Sequence, residues 1–341
     1  MKIDSVLRHR TVEETLGDLS AAVAVGLDGL WTAETASDPF LPLVLAAEHS
    51  DRLDLGTAIA VAFARSPMTT AYTAYDLHRM SGGRFILGLG SQIRPHIEGR
   101  FAMPWSHPAR RMREYVLALR AIWAAWSDGT SLDFKGEFYR HTLMTPFFAP
   151  DPLPFAPPKI FLAAVGPAMT EVAGEVCDGL LVHPFSTKRY LDERLIPAVA
   201  SGAERAGRAA DDVRLSMPCL IATGDEAQIG AGRERVRERV AFYGSTPAYR
   251  GVLETHGWGD LGDRLHDESR AGDDGRWARM ARLVPDEVID EFAVCGSPEE
   301  VAPRLVARYG DRVDRVTLTR PPEVGQETWA QVLAAVKEAA G

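Results

Sequence analysis

Residues 53–90 read LDLGTAIAVAFARSPMTTAYTAYDLHRMSGGRFILGLG, and this stretch decides the fold. Residues 53–61 form a nearly continuous apolar run, the pattern of a strand buried on both faces. Pro67–Met80 reads as a helix, with proline in the first turn, where a missing N–H costs nothing. Phe85–Gly90 is again short, apolar and strand-like. Strand, helix and strand in one segment make a β-α-β unit, and parallel strands follow from it.

The alternation continues on both sides. Residues 3–7 are strand-like, and Thr11-Val12-Glu13-Glu14 is a capping-box signature opening an amphipathic helix that stops at Gly26. Residues 29–33 give a second strand and residues 39–49 a second helix; residues 109–126 follow the fourth strand as a helix. Downstream, strands are expected at 160–164, 180–182, 213–222 and 313–318, with helices at 169–176, 190–207, 227–243 and 328–340. Eight such units fit a (β/α)8 TIM barrel, an α/β fold, better than an open doubly wound sheet. Two excursions interrupt the repeat. Residues 127–159, after the fourth strand, carry six prolines between Pro146 and Pro158; residues 223–312, after the seventh, carry helical pieces and Gly272-Asp273-Asp274-Gly275. Loops of that length bind or cover something, so both are expected to wall the barrel mouth of one domain spanning 1–341.

Composition sets limits on function. The 341 residues are 46% hydrophobic and 25% charged, enough for a large core. A net charge of -9 argues against nucleic acid or an anionic membrane as partner. No apolar run approaches the roughly 20 residues needed to span a bilayer. Met1-Lys2-Ile3-Asp4 lacks the apolar stretch of a signal peptide, so a cytoplasmic location is expected. Cys177, Cys219 and Cys295 form no C-x-x-C pair, and the histidines show no H-E-x-x-H or other tight spacing, so no metal is expected. Signatures of serine hydrolases and of phosphate-loop nucleotide hydrolases are absent.

In a barrel, residues just past the strands' C-terminal ends converge on one face. After the second strand come Glu34 and Asp38, beside Trp31 and Phe40. A carboxyl group in apolar surroundings can serve as acid or base, while Asp38 before Pro39 also reads as a helix N-cap and Glu34 as a structural hydrogen-bonding group. The third strand ends in Ile59-Ala60-Val61-Ala62-Phe63, small and apolar, suited to an aromatic ring system or to ordinary core. The fourth ends in Gly88-Leu89-Gly90-Ser91-Gln92, a lone G-x-G that serves a flat ligand or a turn equally well. After the fifth, Gly166-Pro167-Ala168-Met169-Thr170 opens a helix, either an anion seat or a plain tight turn. His183, before Pro184, is the histidine best placed for a site, whereas His49 and His78 fall on helices.

Together these blocks resemble the luciferase-like monooxygenase superfamily, in its branch of oxidoreductases that use the deazaflavin coenzyme F420. The resemblance rests on Leu55-Gly56-Thr57-Ala58-Ile59-Ala60-Val61-Ala62-Phe63-Ala64-Arg65-Ser66-Pro67 and on the run from Leu77-His78-Arg79-Met80-Ser81-Gly82-Gly83-Arg84 to Gly90. Further blocks are Pro158-Lys159-Ile160 through Gly166-Pro167, and Ala173-Gly174-Glu175-Val176-Cys177-Asp178-Gly179. It implies a barrel with the deazaflavin at its C-terminal mouth. A bulge after the third strand, often with a non-prolyl cis peptide, would support the ring from behind, around Ala60 and Val61. The cofactor-binding residues implied are Ala60, Val61, Ser91, Gln92, Gly166, Pro167, Ala168, Met169 and Thr170, the last five receiving the phosphate. Hydride then passes between deazaflavin C5 and a stacked, small and fairly apolar substrate. Trp31, Phe63, Met103, Trp105, Phe147 and Phe148 are expected to line the pocket, and a homodimer is usual among such proteins.

The chain departs from the pattern at two places. Many relatives follow the acid after the second strand with a catalytic histidine; here Glu34 is followed by Thr35. Some carry glutamate just after the fourth strand's glycine; here it is Ser91. Proton movement is then left to Glu34 or Asp38, with His183 or His96. The alternatives are an FMN-dependent monooxygenase served by a partner reductase, and a non-catalytic F420-binding or carrier protein.

Overall fold

Eight parallel strands close on themselves in the computed structural model, which describes residues 1–8 and 11–341. They are β1 (Lys2–Val6), β2 (Gly29–Thr32), β3 (Asp54–Thr57, resumed at Ala60–Val61), β4 (Phe85–Gly90), β5 (Lys159–Ala164), β6 (Gly179–Val182), β7 (Arg214–Thr223) and β8 (Arg315–Leu318). Each pairs with the next, and β8 returns to β1 with Lys2 opposite Arg315. The strands lie between helices and barrel interior, and every residue of β4 is buried. That two-sided burial is the reason these strands read as unbroken apolar runs. The helices between them start and stop as expected: the Thr11 hydroxyl accepts the Glu14 N–H at 3.1 Å, and Gly26 ends that helix at φ 81°.

The interior of the barrel is a small apolar column of Trp31, Ile86, Phe161 and Leu181, with Ile59 and Ala163 packed on it. At its N-terminal end sits a buried charge cluster. Asp4 is fully buried; it accepts from Trp31 Nε1 at 2.8 Å and from Arg315 Nε and Nη2 at 2.7 Å each. Arg315 Nη1 continues to Asp54 at 2.6 Å. Trp31 is therefore the floor of the barrel rather than a wall of its pocket.

One irregularity positions the site. β3 pairs with β4 through Gly56 and Ile86, breaks, and resumes with Ala60 opposite Leu89. Between these pairs Thr57, Ala58 and Ile59 face only Leu87 and Gly88, so the strand carries one extra residue. The non-prolyl cis peptide is at Ala58–Ile59, and Ala60 and Val61 are the paired residues after it, which corrects the expectation that the bulge lies around them. The Thr57 hydroxyl bridges the gap, donating to Gly88 O at 2.7 Å and accepting Gly88 N–H at 3.0 Å. Only glycine fits there, since a Cβ on residue 88 would stand 1.6 Å from Thr57 O.

The two excursions behave differently. Residues 127–159 reach the rim only through their hairpin, where the Tyr139 hydroxyl accepts from Arg111 Nε at 2.8 Å and Phe138 lies against His107. After a small hairpin, Phe134–Lys135 with Arg140–His141, the chain descends outside the helix Pro67–Met80. Tyr72, Tyr75 and His78, successive on one face of that helix, bond to the carbonyls of Phe148, Asp151 and Ala156. Phe147 and Phe148 consequently lie on the outer surface, 88% and 61% exposed, and not in the pocket. The second excursion does reach the rim. Its helix Glu226–Gly244 starts near β8, where Gln228 bonds Glu323 O, passes β7, where Arg235 bonds Ile221 O, and ends with Tyr243 against His183 beyond β6. An extra strand, Ala293–Gly296, not read in the sequence, then pairs with the outer half of β7. Among the described residues no helix is long and apolar enough to cross a membrane.

Replacing Arg315 with leucine strands the Asp4 carboxylate in the barrel floor. A loss of about 3–5 kcal/mol is expected, read as a lowered midpoint in urea unfolding.

Candidate active site

The apolar column rises to Ile59 at the C-terminal mouth, and Gly90 leaves room for it: a Cβ there would stand 2.8 Å from Ile59 Cδ1. Glu34 brackets the break in β3. Its main-chain N–H donates to Ile59 O at 3.0 Å, and its Oε2 accepts from Val61 N–H at 2.7 Å and Arg65 Nη1 at 2.6 Å. Asp38 joins the same guanidinium, accepting from Arg65 Nη2 at 3.2 Å. Its other oxygen takes the N–H groups of Phe40 and Leu41 at 2.8 and 3.3 Å, the start of the helix Leu41–His49. Burial works against the Arg65 charge, but the bonds and charges of Glu34 and Asp38 outweigh it and hold its pKa above the usual value. The two carboxylates singled out in the sequence are thus brought together, on one arginine.

The loop after β4 closes the next sector. Gln92 takes a left-handed φ of 58°, and the Ser91 hydroxyl donates to its carbonyl at 3.0 Å. The short helix Arg94–Gly99 follows, and Arg100 donates to Thr35 O, tying this loop to the one after β2. His96 is exposed on that short helix. Phe63 is fully buried beneath the edge of Trp105, ring centroids 5.7 Å apart, with the Arg111 guanidinium 4.4 Å from its ring. Trp105 and Met103 are half-buried above it.

After β5, Gly166 is the N-cap of the helix Pro167–Val176 and no side chain caps its first turn, which leaves the N–H groups of Ala168 and Met169 open. Nothing stands within 4 Å of the position a Gly166 Cβ would take. Thr170 turns inward instead, fully buried, its hydroxyl on Gly166 O at 3.0 Å. Small residues, an uncapped helix start and open space are the donor set an anion needs.

After β6, His183 Nδ1 accepts the Phe185 N–H at 3.1 Å, so Nε2 carries the proton of the neutral ring. Burial pushes its pKa down to about 4, which keeps it uncharged at neutral pH. Tyr243 meets the ring edge-on at 4.9 Å and Tyr249 lies over it at 4.7 Å. Both tyrosines come from the second excursion and were missed in the sequence, where only helical periodicity marked their segment. The fully buried hydroxyls of Ser186 and Thr223, past β6 and at the end of β7, have no protein partner among the described residues. Among the described residues no cluster of three or more His, Cys, Asp or Glu side chains could hold a metal.

Residues 9–315 match the family model described as luciferase-like monooxygenase. A protein of Mycobacterium tuberculosis described as uncharacterized is 56% identical over 300 residues, 87% of each chain. A putative coenzyme F420-dependent oxidoreductase of the same organism is 29% identical over 325 residues, 88% of this chain and 89% of that protein. Among solved structures, the coenzyme F420-dependent tetrahydromethanopterin reductase of Methanopyrus kandleri superimposes with a TM-score of 0.77 at 21% identity, covering 98% of this chain and 97% of that one. The FMN-bound oxygenating component of a Pseudomonas putida diketocamphane monooxygenase does so at 0.67 and 15% identity, covering 100% and 98%.

The His183 environment has a pH signature. Because its folded pKa lies below the ordinary 6.5, the stability it contributes is complete above that value, declines as pH falls, and levels off near 4. NMR titration should show one imidazole with a midpoint near 4, missing in His183→Phe, whose unfolding free energy should change less between pH 7 and 4.

Proposed function

The chain belongs to the luciferase-like monooxygenase family, and from that premise we propose that it is an F420-dependent oxidoreductase acting on a small organic molecule. The uncapped helix start at Gly166 carries the reading, because it offers an anionic tail a seat on the mouth beside β6. The residues present fit such a cofactor. Ile59, raised on the β3 break and backed by the barrel column, offers an apolar platform to a flat ring, and Ser91 and Gln92 border it from the adjacent strand end. Ala60 and Val61 act through their main chain, pairing with Leu89 and Gly90 so that the platform stays fixed.

When bound, F420 supplies hydride chemistry at its C5. The chain's own contribution is position and proton handling. Glu34 and Asp38 hold Arg65, and Glu34 fastens the β3 break; these are positioning roles. His183 keeps its proton on Nε2 and stays neutral, the state of a hydrogen-bond donor to a reacting oxygen. Cytoplasmic action as a homodimer accords with this reading.

A fluorescence titration against F420 and, separately, FMN tests it. Micromolar or tighter binding of F420 with much weaker binding of FMN is expected; preference for FMN would turn the assignment to a monooxygenase. Gly166→Asp should fold normally, since φ is -89° and the space is open, yet place a carboxylate at the anion seat and weaken F420 binding about tenfold or more. Unchanged affinity would remove that turn from the site.

A further inference from the structure

The rim above β6 and β7 carries three polar tips that the fold itself leaves unused. His183 offers Nε2–H, because Nδ1 is already engaged with the Phe185 main chain. Tyr243 and Tyr249 flank that imidazole, their own ring centroids 6.0 Å apart. Elsewhere tyrosine hydroxyls are tied down: Tyr72, Tyr75, Tyr115 and Tyr190 donate to the carbonyls of Phe148, Asp151, Ser66 and Val165. Those of Tyr243 and Tyr249 have no protein partner among the described residues, and both side chains are only half-buried. Burial first, and then the neighbouring Tyr243, raise the Tyr249 pKa, so it stays a protonated phenol. Two hydroxyls and one N–H thus belong to three rings packed together at one corner of the mouth.

We infer that His183, Tyr243 and Tyr249 hold the carbonyl oxygen of an uncharged, conjugated ketone, so that the substrate class is the enone; this rests on the F420 reading above. A phosphate or carboxylate substrate calls for cations at its seat, whereas these three donors suit an oxygen that becomes negative only as the reaction proceeds. The aromatic faces suit a planar conjugated framework. In the step, the substrate's β-carbon gains the hydride as a new C–H bond, and the C=C pair shifts so that negative charge collects on the carbonyl oxygen between the three donors. The α-carbon then takes a proton from water. The reductant, reduced F420, gives up the hydride and one proton, so enone and reduced F420 yield saturated ketone and F420.

Two measurements on the purified chain test this, alongside the F420 titration. Reduced F420 should be oxidised by cyclohex-2-enone, and His183→Phe, Tyr243→Phe and Tyr249→Phe should each lower kcat/KM about tenfold or more while F420 affinity stays within about a factor of two. The protein without cofactor should bind 4-nitrophenol, a mimic of the enolate, with an absorbance change that weakens in each variant. If F420 binds but the enone is not reduced, or the variants turn it over as wild type does, the carbonyl assignment is overturned and the cofactor reading stands. If F420 fails to bind, that reading falls; no 4-nitrophenol response in the unmodified chain, or a response undiminished in the variants, would independently overturn the role of the three donors.

Discussion

Glu34 holds the barrel mouth in its working shape. Its Oε2 accepts both the Val61 N–H and the Arg65 guanidinium, and its main chain reaches Ile59 O, so one residue grips the third strand on both sides of its extra residue. Without those bonds the Val61 N–H would be buried and unpaired, a cost of about 1–3 kcal/mol. The break is fixed from below by the Thr57 hydroxyl on Gly88, at a separation that admits no side chain there. Ile59 stands between these two clamps, and everything facing it across the mouth is positioned relative to them. In the function proposed above this carboxylate serves as scaffold, with Arg65 supplying the countercharge and Asp38 sharing it.

Much of this frame was legible because parallel barrel strands are buried twice. The apolar runs at Phe85–Gly90 and around Ile160, and the proline-led helix Pro67–Met80, state their structure locally. The bulge was legible only as a motif, and its position slipped to Ala60 and Val61 because those residues are as apolar as Ala58 and Ile59. Nothing in hydrophobicity distinguishes a paired strand residue from one that faces no partner. The close approach of Thr57 and Gly88 locates the break, and that is a property of two strands together.

The long excursions were the least legible parts, for a related reason. Both have helical or aromatic residues and turn signals, and both leave the barrel between a strand and its successor. Their destinations depend on tertiary contacts. The proline-rich segment finds Tyr72, Tyr75 and His78 in sequence along one helix and follows it away from the mouth. The helix Glu226–Gly244 instead crosses the rim because Gln228 and Arg235 are fastened at β8 and β7, which brings Tyr243 to β6. The extra strand Ala293–Gly296 can exist only because β7 outruns β6, leaving Leu220–Thr223 without a neighbour on that side.

These placements give the mouth two electrostatic halves with different tasks. On the β2 and β3 side the charges are paired off, carboxylates on guanidinium, and serve the scaffold. On the β5 to β7 side several polar groups have no protein partner among the described residues: the first N–H groups of the helix Pro167–Val176, the His183 Nε2–H, and the hydroxyls of Tyr243 and Tyr249. A site that stabilises charge only when charge develops has to keep its donors uncharged and already oriented, since reorganising them during the reaction would forfeit the gain. His183 meets that condition through burial, which holds its pKa near 4, and through the Phe185 N–H, which fixes its tautomer. Under the function proposed above, no imidazole is needed at Thr35. The second excursion brings Tyr243 and Tyr249 to the rim beside His183, so two of the three donors of the reaction proposed above come from the segment where sequence periodicity alone says least.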